Sequence, residues 1–588
     1  MDSGTLSVVP TIFIRDEYLF GPREGDSGVA HDADPWPRAT KSTPAVRWLV
    51  RSHSIPRYHL YQVNPTMTDT IVIDGESLTP EDVETVARDH AEVTVPERAR
   101  ESVRESRERI EEILDSDSAV YGVNTGFGEL VSERIEGEQI ETLQRNLVRS
   151  HSAAVGEEVG TDVVRAMMVT RLNTLVKGYS GVREDVIDTL VAMLHAGVHP
   201  VVKEYGSLGA SGDLAPLAQL ALVTIGEGTV HYEGERIPGG EALDRAGIEP
   251  LDLAAKEGLA MINGTQFTTG LASLLLRDSE QVLKAADVAG ALATEVTMST
   301  NTSAHPSIHQ VRQHDGQAHV ARNVRLLTAD SEIIDSHRDC DRIQDAYSIR
   351  CMPQVHGAVR DAVDHLRSVV GVELNSATDN PLVFPAEDAP DRTSGANGAA
   401  VISGGNFHGE PLALPLDYLV SGLSELAAIS ERRVDRMLNP NIQEERLPPF
   451  LAEQGGLQSG YMISQYTAAD LVSTTRSLGR PSMTNVPVSG NQEDHVSMSA
   501  GSARRAKEAM ELARYVVGIE LTCAAQGMDY YEDLEPGVGT AAAYKTVRNA
   551  VPHLDDDRPV DADVAAVTDL ICDGTLVRNV EDAVGEDL

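Results

Sequence analysis

"GSLGASGDLAPLAQLAL", Gly206 to Leu222, places three glycines in its first seven residues and then turns apolar and helical. A serine, Ser211, stands between Ala210 and Gly212. A phosphate-binding loop closes its glycines with lysine and a hydroxyl residue, but Gly212 is followed by Asp213. A hydrolase nucleophile elbow needs G-x-S-x-G, and here the second glycine falls one place early. A plain loop-to-helix turn is a third reading, with Asp213 as cap and Pro216 in the first turn. A fourth is chemical. The Gly212 amide nitrogen attacks the Ala210 carbonyl carbon and two waters leave, one of them carrying the Ser211 hydroxyl. The product is a methylidene-imidazolone with an electrophilic methylene. Glycine tolerates the close backbone approach, serine supplies the hydroxyl that is eliminated, and alanine leaves the ring uncrowded. Side chains offer many nucleophiles but few electrophiles, so such a ring does the work of a cofactor. A helix starting at Asp213 would set its positive end against the ring. A bare Ala-Ser-Gly is common, so the tripeptide alone does not decide among these readings.

The chain around this stretch has 588 residues, 41% of them hydrophobic, which suits a globular protein of several domains. No uninterrupted apolar run of about 18 residues occurs, and no membrane partner is expected. The first residues lack a secretory layout. Cys340, Cys351, Cys523 and Cys572 have no metal-type or CxxC spacing. They are expected as reduced thiols in a cytoplasmic protein. The net charge is −42, with seven lysines against 42 arginines. The acidity is spread along the chain and implies a solvated surface adapted to high salt. It leaves no basic stripe for nucleic acid.

Residues 1–66 are different. They carry seven acidic and seven basic side chains, both tryptophans and little periodicity. They are expected to be a disordered extension or a mis-assigned start, with a fresh beginning at Met67. Ile71 to Ile73 suggests a short strand, and Thr79-Pro80 a helix start. Residues 161–177, 268–297, 356–372, 416–437 and 498–526 carry apolar residues at helical spacing. Residues 385–400 have the composition of a turn-rich surface loop. The expected fold is mainly α: a long central helical bundle, with a mixed, loop-rich N-terminal domain carrying the Ala-Ser-Gly segment. The expected divisions are 67–265, 266–497 and 498–588.

Six further segments carry chemistry. "YGVNTGFGEL" (121–130) sets Tyr121 in a glycine-rich loop suited to closing over a substrate. "LQRNLVRSHSAAVG" (143–156) holds His151, and a lone histidine is more often structural than functional. "EGLAMINGTQ" (257–266) brings Asn263, whose carboxamide both donates and accepts. "IQDAYSIRCMPQVHG" (343–357) holds Gln344, Tyr347 and Arg350, the last two sharing a face if helical. An arginine there could grip a carboxylate with two charge-assisted bonds. "SGGNFHGEPL" (403–412) supplies Phe407, and "SGNQEDHVSM" (489–498) supplies Glu493.

Together with "GSLGASGDLAPLA", these segments make the chain from about Thr70 onward resemble the aromatic amino-acid ammonia-lyases, most closely their histidine-specific branch. Within 343–357, Ala346 and Met352 stand where the family pattern has proline and glutamine. The resemblance implies that Ser211 becomes a didehydroalanine within a ring formed autocatalytically from Ala210, Ser211 and Gly212. It implies Tyr121 as acid/base, Asn263, Gln344 and Tyr347 about the reacting atoms, and Arg350 on the substrate carboxylate. Phe407 would wall the site, with His151 and Glu493 on an imidazole. The implied reaction is loss of ammonia from L-histidine to give trans-urocanate, the first step of histidine breakdown. A site built for a polar ring discriminates strongly against an apolar one. The alternative is a phenylalanine or tyrosine ammonia-lyase, or an aminomutase, using the same ring. Substrate capture at its amine or through its ring stays open, as does Glu493 as a rival base. The resemblance also implies a homotetramer with shared active sites, and neither a metal nor an exchangeable cofactor.

Overall fold

Thr79 opens the first helix, and the computed structural model shows why. The Thr79 side chain accepts from the Asp82 N–H, the Asp82 carboxylate reaches back to the Thr79 N–H, and Pro80 occupies the first turn. The structure describes residues 70–116, 120, 122–123, 125, 137–338, 340, 342–388, 394–396, 398–442 and 446–588. The segment 1–66 and Tyr121 lie outside them.

The first part of the fold mixes short strands with helices, in the order β1 (Ile71–Val72), α1 (Pro80–Arg88), β2 (Val93–Thr94), α2 (Glu97–Leu114), α3 (Gly137–His151), β3 (Val155–Glu158) and α4 (Thr161–Val176). Next come α5 (Glu184–Ala196), β4 (His199–Pro200), β5 (Lys203–Tyr205), α6 (Leu214–Thr224), β6 (Thr229–Tyr232), β7 (Glu235–Pro238), α7 (Gly239–Ala246) and α8 (Glu257–Ile262). β1 pairs parallel with β2, β3 antiparallel with β5, and β4, β6 and β7 form a small antiparallel sheet.

The second part is a helical bundle. It contains α9 (Gln266–Val296), α10 (Pro306–Gln310), α11 (Asp315–Leu327), α12 (Glu332–Ser336), α13 (Tyr347–Arg350), α14 (Met352–Leu374) and α15 (Glu410–Leu438). α16 (Met462–Ser477), α17 (Ser499–Met528), α18 (Val538–Ala550), α19 (Asp561–Cys572) and α20 (Thr575–Val584) complete it. α17 packs along α15 and α9, and α14 along α15. Leu416, Leu419, Leu423 and Leu426 of α15 are buried, as their spacing predicts. Among the described residues α15 alone is long and apolar enough to cross a membrane; most of that stretch is buried inside the fold.

The expected loop at 385–400 is corrected in part: its described ends are strands, while 389–393 and 397 lie outside the described residues. β8 (Leu382–Pro385), β9 (Ser394–Ala396) and β10 (Ala399–Ile402) form an antiparallel sheet in the order β8-β10-β9. Alanine and glycine are weak strand formers, and Val401 and Val383 are buried together in a small second core with Ile110 and Ile113 of α2.

Candidate active site

The Gly206–Asp213 loop joins β5 to α6, and three distant segments hold it. The Met498 N–H donates to the Leu208 carbonyl (2.7 Å), the Gly409 N–H to the Gly209 carbonyl (3.0 Å), and the Asp213 N–H to the Gly264 carbonyl (2.6 Å). The Ser497 hydroxyl also donates to Gly209 (3.0 Å). Each of these segments leads directly into a helix: Gly264 into α9, Gly409 into α15, Met498 into α17. With α6 itself, four helix N-termini converge on this loop. Their unpaired N–H groups and dipoles make it a place where negative charge is favoured.

Two glycines are required sterically. Gly209 (φ +67°) and Gly212 (φ +73°) are in the left-handed region. A Cβ at Gly209 would overlap the Ser497 and Ser499 hydroxyls, and one at Gly212 the Gly264 backbone. Asp213 does not cap α6 with its side chain. Its buried carboxylate accepts instead from the Ser207 hydroxyl (2.7 Å), the Thr268 N–H (2.8 Å) and the Thr268 hydroxyl (3.0 Å). Burial pushes its pKa above the ordinary value despite these donors. The tertiary donors outcompete the local capping geometry.

The loop collects several of the expected residues. The Ser211 hydroxyl donates to Glu493 at 3.0 Å, although the two are 282 positions apart. Asn263 is buried one residue before Gly264, and its side-chain Oδ1 has no hydrogen-bond partner. Below it, Arg171 donates to the Asn263 main-chain carbonyl (2.9 Å) and to Gln266 (2.8 Å). Burial pulls the pKa of Arg171 down to about 10. Lys256 and Asp379 form a fully buried ion pair at 2.9 Å nearby. Phe407 is half-buried two residues before Gly409. His151 ends α3, with Nδ1 2.8 Å from the Leu147 carbonyl. That carbonyl can only accept, so Nδ1 donates to it and Nε2 is left for other partners. Ala154, three residues on, lies against Gly206. Gly122, beside Tyr121, lies against Leu259 of α8, the helix leading to Asn263.

Gln344, Tyr347 and Arg350 lie elsewhere. Arg350 sits over the Tyr347 ring at 4.6 Å, as the three-residue spacing predicts. The Arg350 Nε is buried and unpartnered, while Tyr347 is 70% exposed. Arg342, on the same segment, bonds the carbonyls of Thr297 and Met298 at the far end of α9. Ser348 accepts from Arg433 near the far end of α15. At 1.5 Å per residue, Arg433 lies about 35 Å from the start of α15, and Thr297 about 45 Å from the start of α9. The three residues therefore stand at the opposite end of the bundle from Ser211.

Sequence reasoning missed Arg171, Thr268 and Ser497. Arg171 had a signal: it stands in "VVRAMMVTRLNTLV", where almost every side chain is buried. A charge in a helix buried on all faces has an internal partner.

A sequence model of aromatic amino acid lyases matches residues 78–549. This chain belongs to that family. Its relatives include a probable histidine ammonia-lyase of Halobacterium salinarum, 61% identical over 522 residues, covering 89% of this chain and 99% of that one. A histidine ammonia-lyase of Gloeobacter violaceus is 48% identical over 520 residues, with 88% and 99% covered. Among family structures, histidine ammonia-lyase from Trypanosoma cruzi superposes with a TM-score of 0.79 at 39% identity, over 87% of this chain and 95% of that one. Tyrosine aminomutase from Streptomyces globisporus gives 0.81 at 36%, over 88% and 99%.

Proposed function

We propose that this chain is a cytoplasmic histidine ammonia-lyase that converts L-histidine to trans-urocanate and ammonia. The observation that carries the reading is the Ser211–Glu493 contact: an acceptor suited to an imidazole N–H lies 3.0 Å from the tripeptide that can become an electrophile. The relatives named histidine ammonia-lyase support it, and the four unpaired cysteines suit a reducing compartment.

The turn at Ala210, Ser211 and Gly212 fits a self-formed methylidene-imidazolone. Gly212 has no room for a Cβ, Ala210 is buried, and the Ser211 hydroxyl is held at a carboxylate. When formed, the ring supplies an electrophilic methylene that no side chain provides. The chain's own residues do the rest. Converging helix N-termini stabilise negative charge developing at the loop. Elimination of the Ser211 hydroxyl frees Glu493 to accept the substrate imidazole N–H, with His151 on the same ring. Asn263 Oδ1, buried and unpaired, is an acceptor for the substrate ammonium. Phe407 walls the site against water. Tyr121 takes the β-proton.

Gln344, Tyr347 and Arg350 act in the site of a neighbouring copy, where Arg350 holds the substrate carboxylate. The separation along α15 and α9 supports a homotetramer with shared sites. The test is product analysis with purified protein. Urocanate and free ammonia from L-histidine are expected. Cinnamate or coumarate from the other aromatic amino acids, or a β-amino acid without ammonia, would overturn the assignment.

A further inference from the structure

His408, Glu410 and His495 form a cluster that the reaction above does not use. His408 follows Phe407, Glu410 is the first residue of α15, and His495 lies two residues beyond Glu493. One donor atom from each lies within 4.8 Å of the other two. The imidazole rings are stacked, 5.6 Å between centroids and 7° from parallel. His408 Nε2 is 3.3 Å from the His495 main-chain carbonyl. That carbonyl can only accept, so Nε2 carries the proton and the Nδ1 lone pair is free. Fixing a ligand's tautomer through its other nitrogen is how proteins prepare metal-binding histidines. Glu410 supplies the second observation. Its Oε2 is buried and has no hydrogen-bond partner, and no lysine or arginine pairs with Glu410 among the described residues. A buried carboxylate oxygen without a donor is costly unless a cation completes it.

We propose that His408, Glu410 and His495 bind one divalent transition-metal cation of the zinc class. Two imidazoles and a carboxylate are borderline donors that suit zinc or cobalt better than magnesium or calcium. The ion ties the loop carrying Glu493 to the start of α15, next to Phe407. It acts as a clamp on one wall of the site and takes part in no bond-making step.

The test uses the untagged full chain, dialysed against a chelator and then titrated with Zn²⁺ by calorimetry and Co²⁺ by visible spectroscopy. One ion per chain is expected, with the d–d bands of a nitrogen- and oxygen-ligated Co²⁺. His495→Ala and Glu410→Gln should each weaken binding by more than about tenfold, and Zn²⁺ should raise the melting temperature of the wild type alone. A stoichiometry well below one in the wild type overturns the proposal, whatever the variants do. So does binding that survives both substitutions. Anomalous scattering from a Zn²⁺-soaked crystal must peak between the three side chains; a peak elsewhere also overturns it.

Discussion

The two ends of the helical bundle are built differently. At one end the Gly206–Asp213 loop is held by backbone bonds from the starts of α9, α15 and α17, above a fully buried Lys256–Asp379 pair. At the other end, α13 presents Tyr347 to solvent and leaves an Arg350 nitrogen unpartnered. The first end is tied together by hydrogen bonds within one chain. The second has the residue types of a site without the rest of it. Together they make one catalytic centre only if the exposed end of one copy meets the loop end of another.

The most drastic way to break this picture is Ser211→Ala. Turnover is expected to fall by at least about a thousandfold, with melting and assembly unchanged. Mass mapping of Gly206–Leu222 should show the wild-type peptide two waters lighter than its sequence and the variant peptide unmodified. Near-normal activity, or an unmodified peptide in active enzyme, breaks the assignment of the loop end. The link between the ends is sharpened by complementation. Arg350→Ala and Ser211→Ala are each expected to be inactive, while a refolded mixture recovers partial activity from sites that draw one intact half from each copy. No recovery in mixed oligomers would mean that the two halves do not meet.

The packed end is tested by Asp379→Asn, which strands the buried Lys256 charge. Burial already lowers the Lys256 pKa, and Asp379 opposes that shift. A loss of about 3–5 kcal/mol in denaturant unfolding is expected, and a change below about 1 kcal/mol would show that the pair is not load-carrying for the loop. The smallest expected effect is Glu493→Gln. It should lower kcat/KM for histidine by about a hundredfold, near the worth of one charged hydrogen bond. Unchanged kcat/KM would remove Glu493 from imidazole recognition.

Much of this was legible locally. The helical stretches appear where apolar spacing predicts them; for α15 the spacing marks the buried face, while α4 is buried nearly all round. The capping box at Thr79 and the Tyr347–Arg350 stacking follow from three-residue spacing alone. The misreadings share one cause, competition from distant residues. Asp213 has a capping residue's chemistry but turns to Ser207 and Thr268. The 399–402 segment has a weak strand pattern but is ordered by β8 and α2.

The sequence by itself determined the helical class, the glycine-rich Ala-Ser-Gly turn ahead of a helix and the residue types around it, because these depend on neighbours a few positions apart. Only the tertiary structure decided that Glu493 meets Ser211, that four helix N-termini converge on the loop, and that Tyr347 and Arg350 lie about 35 Å away along α15. Those facts depend on helix length and packing direction, which no local spacing encodes.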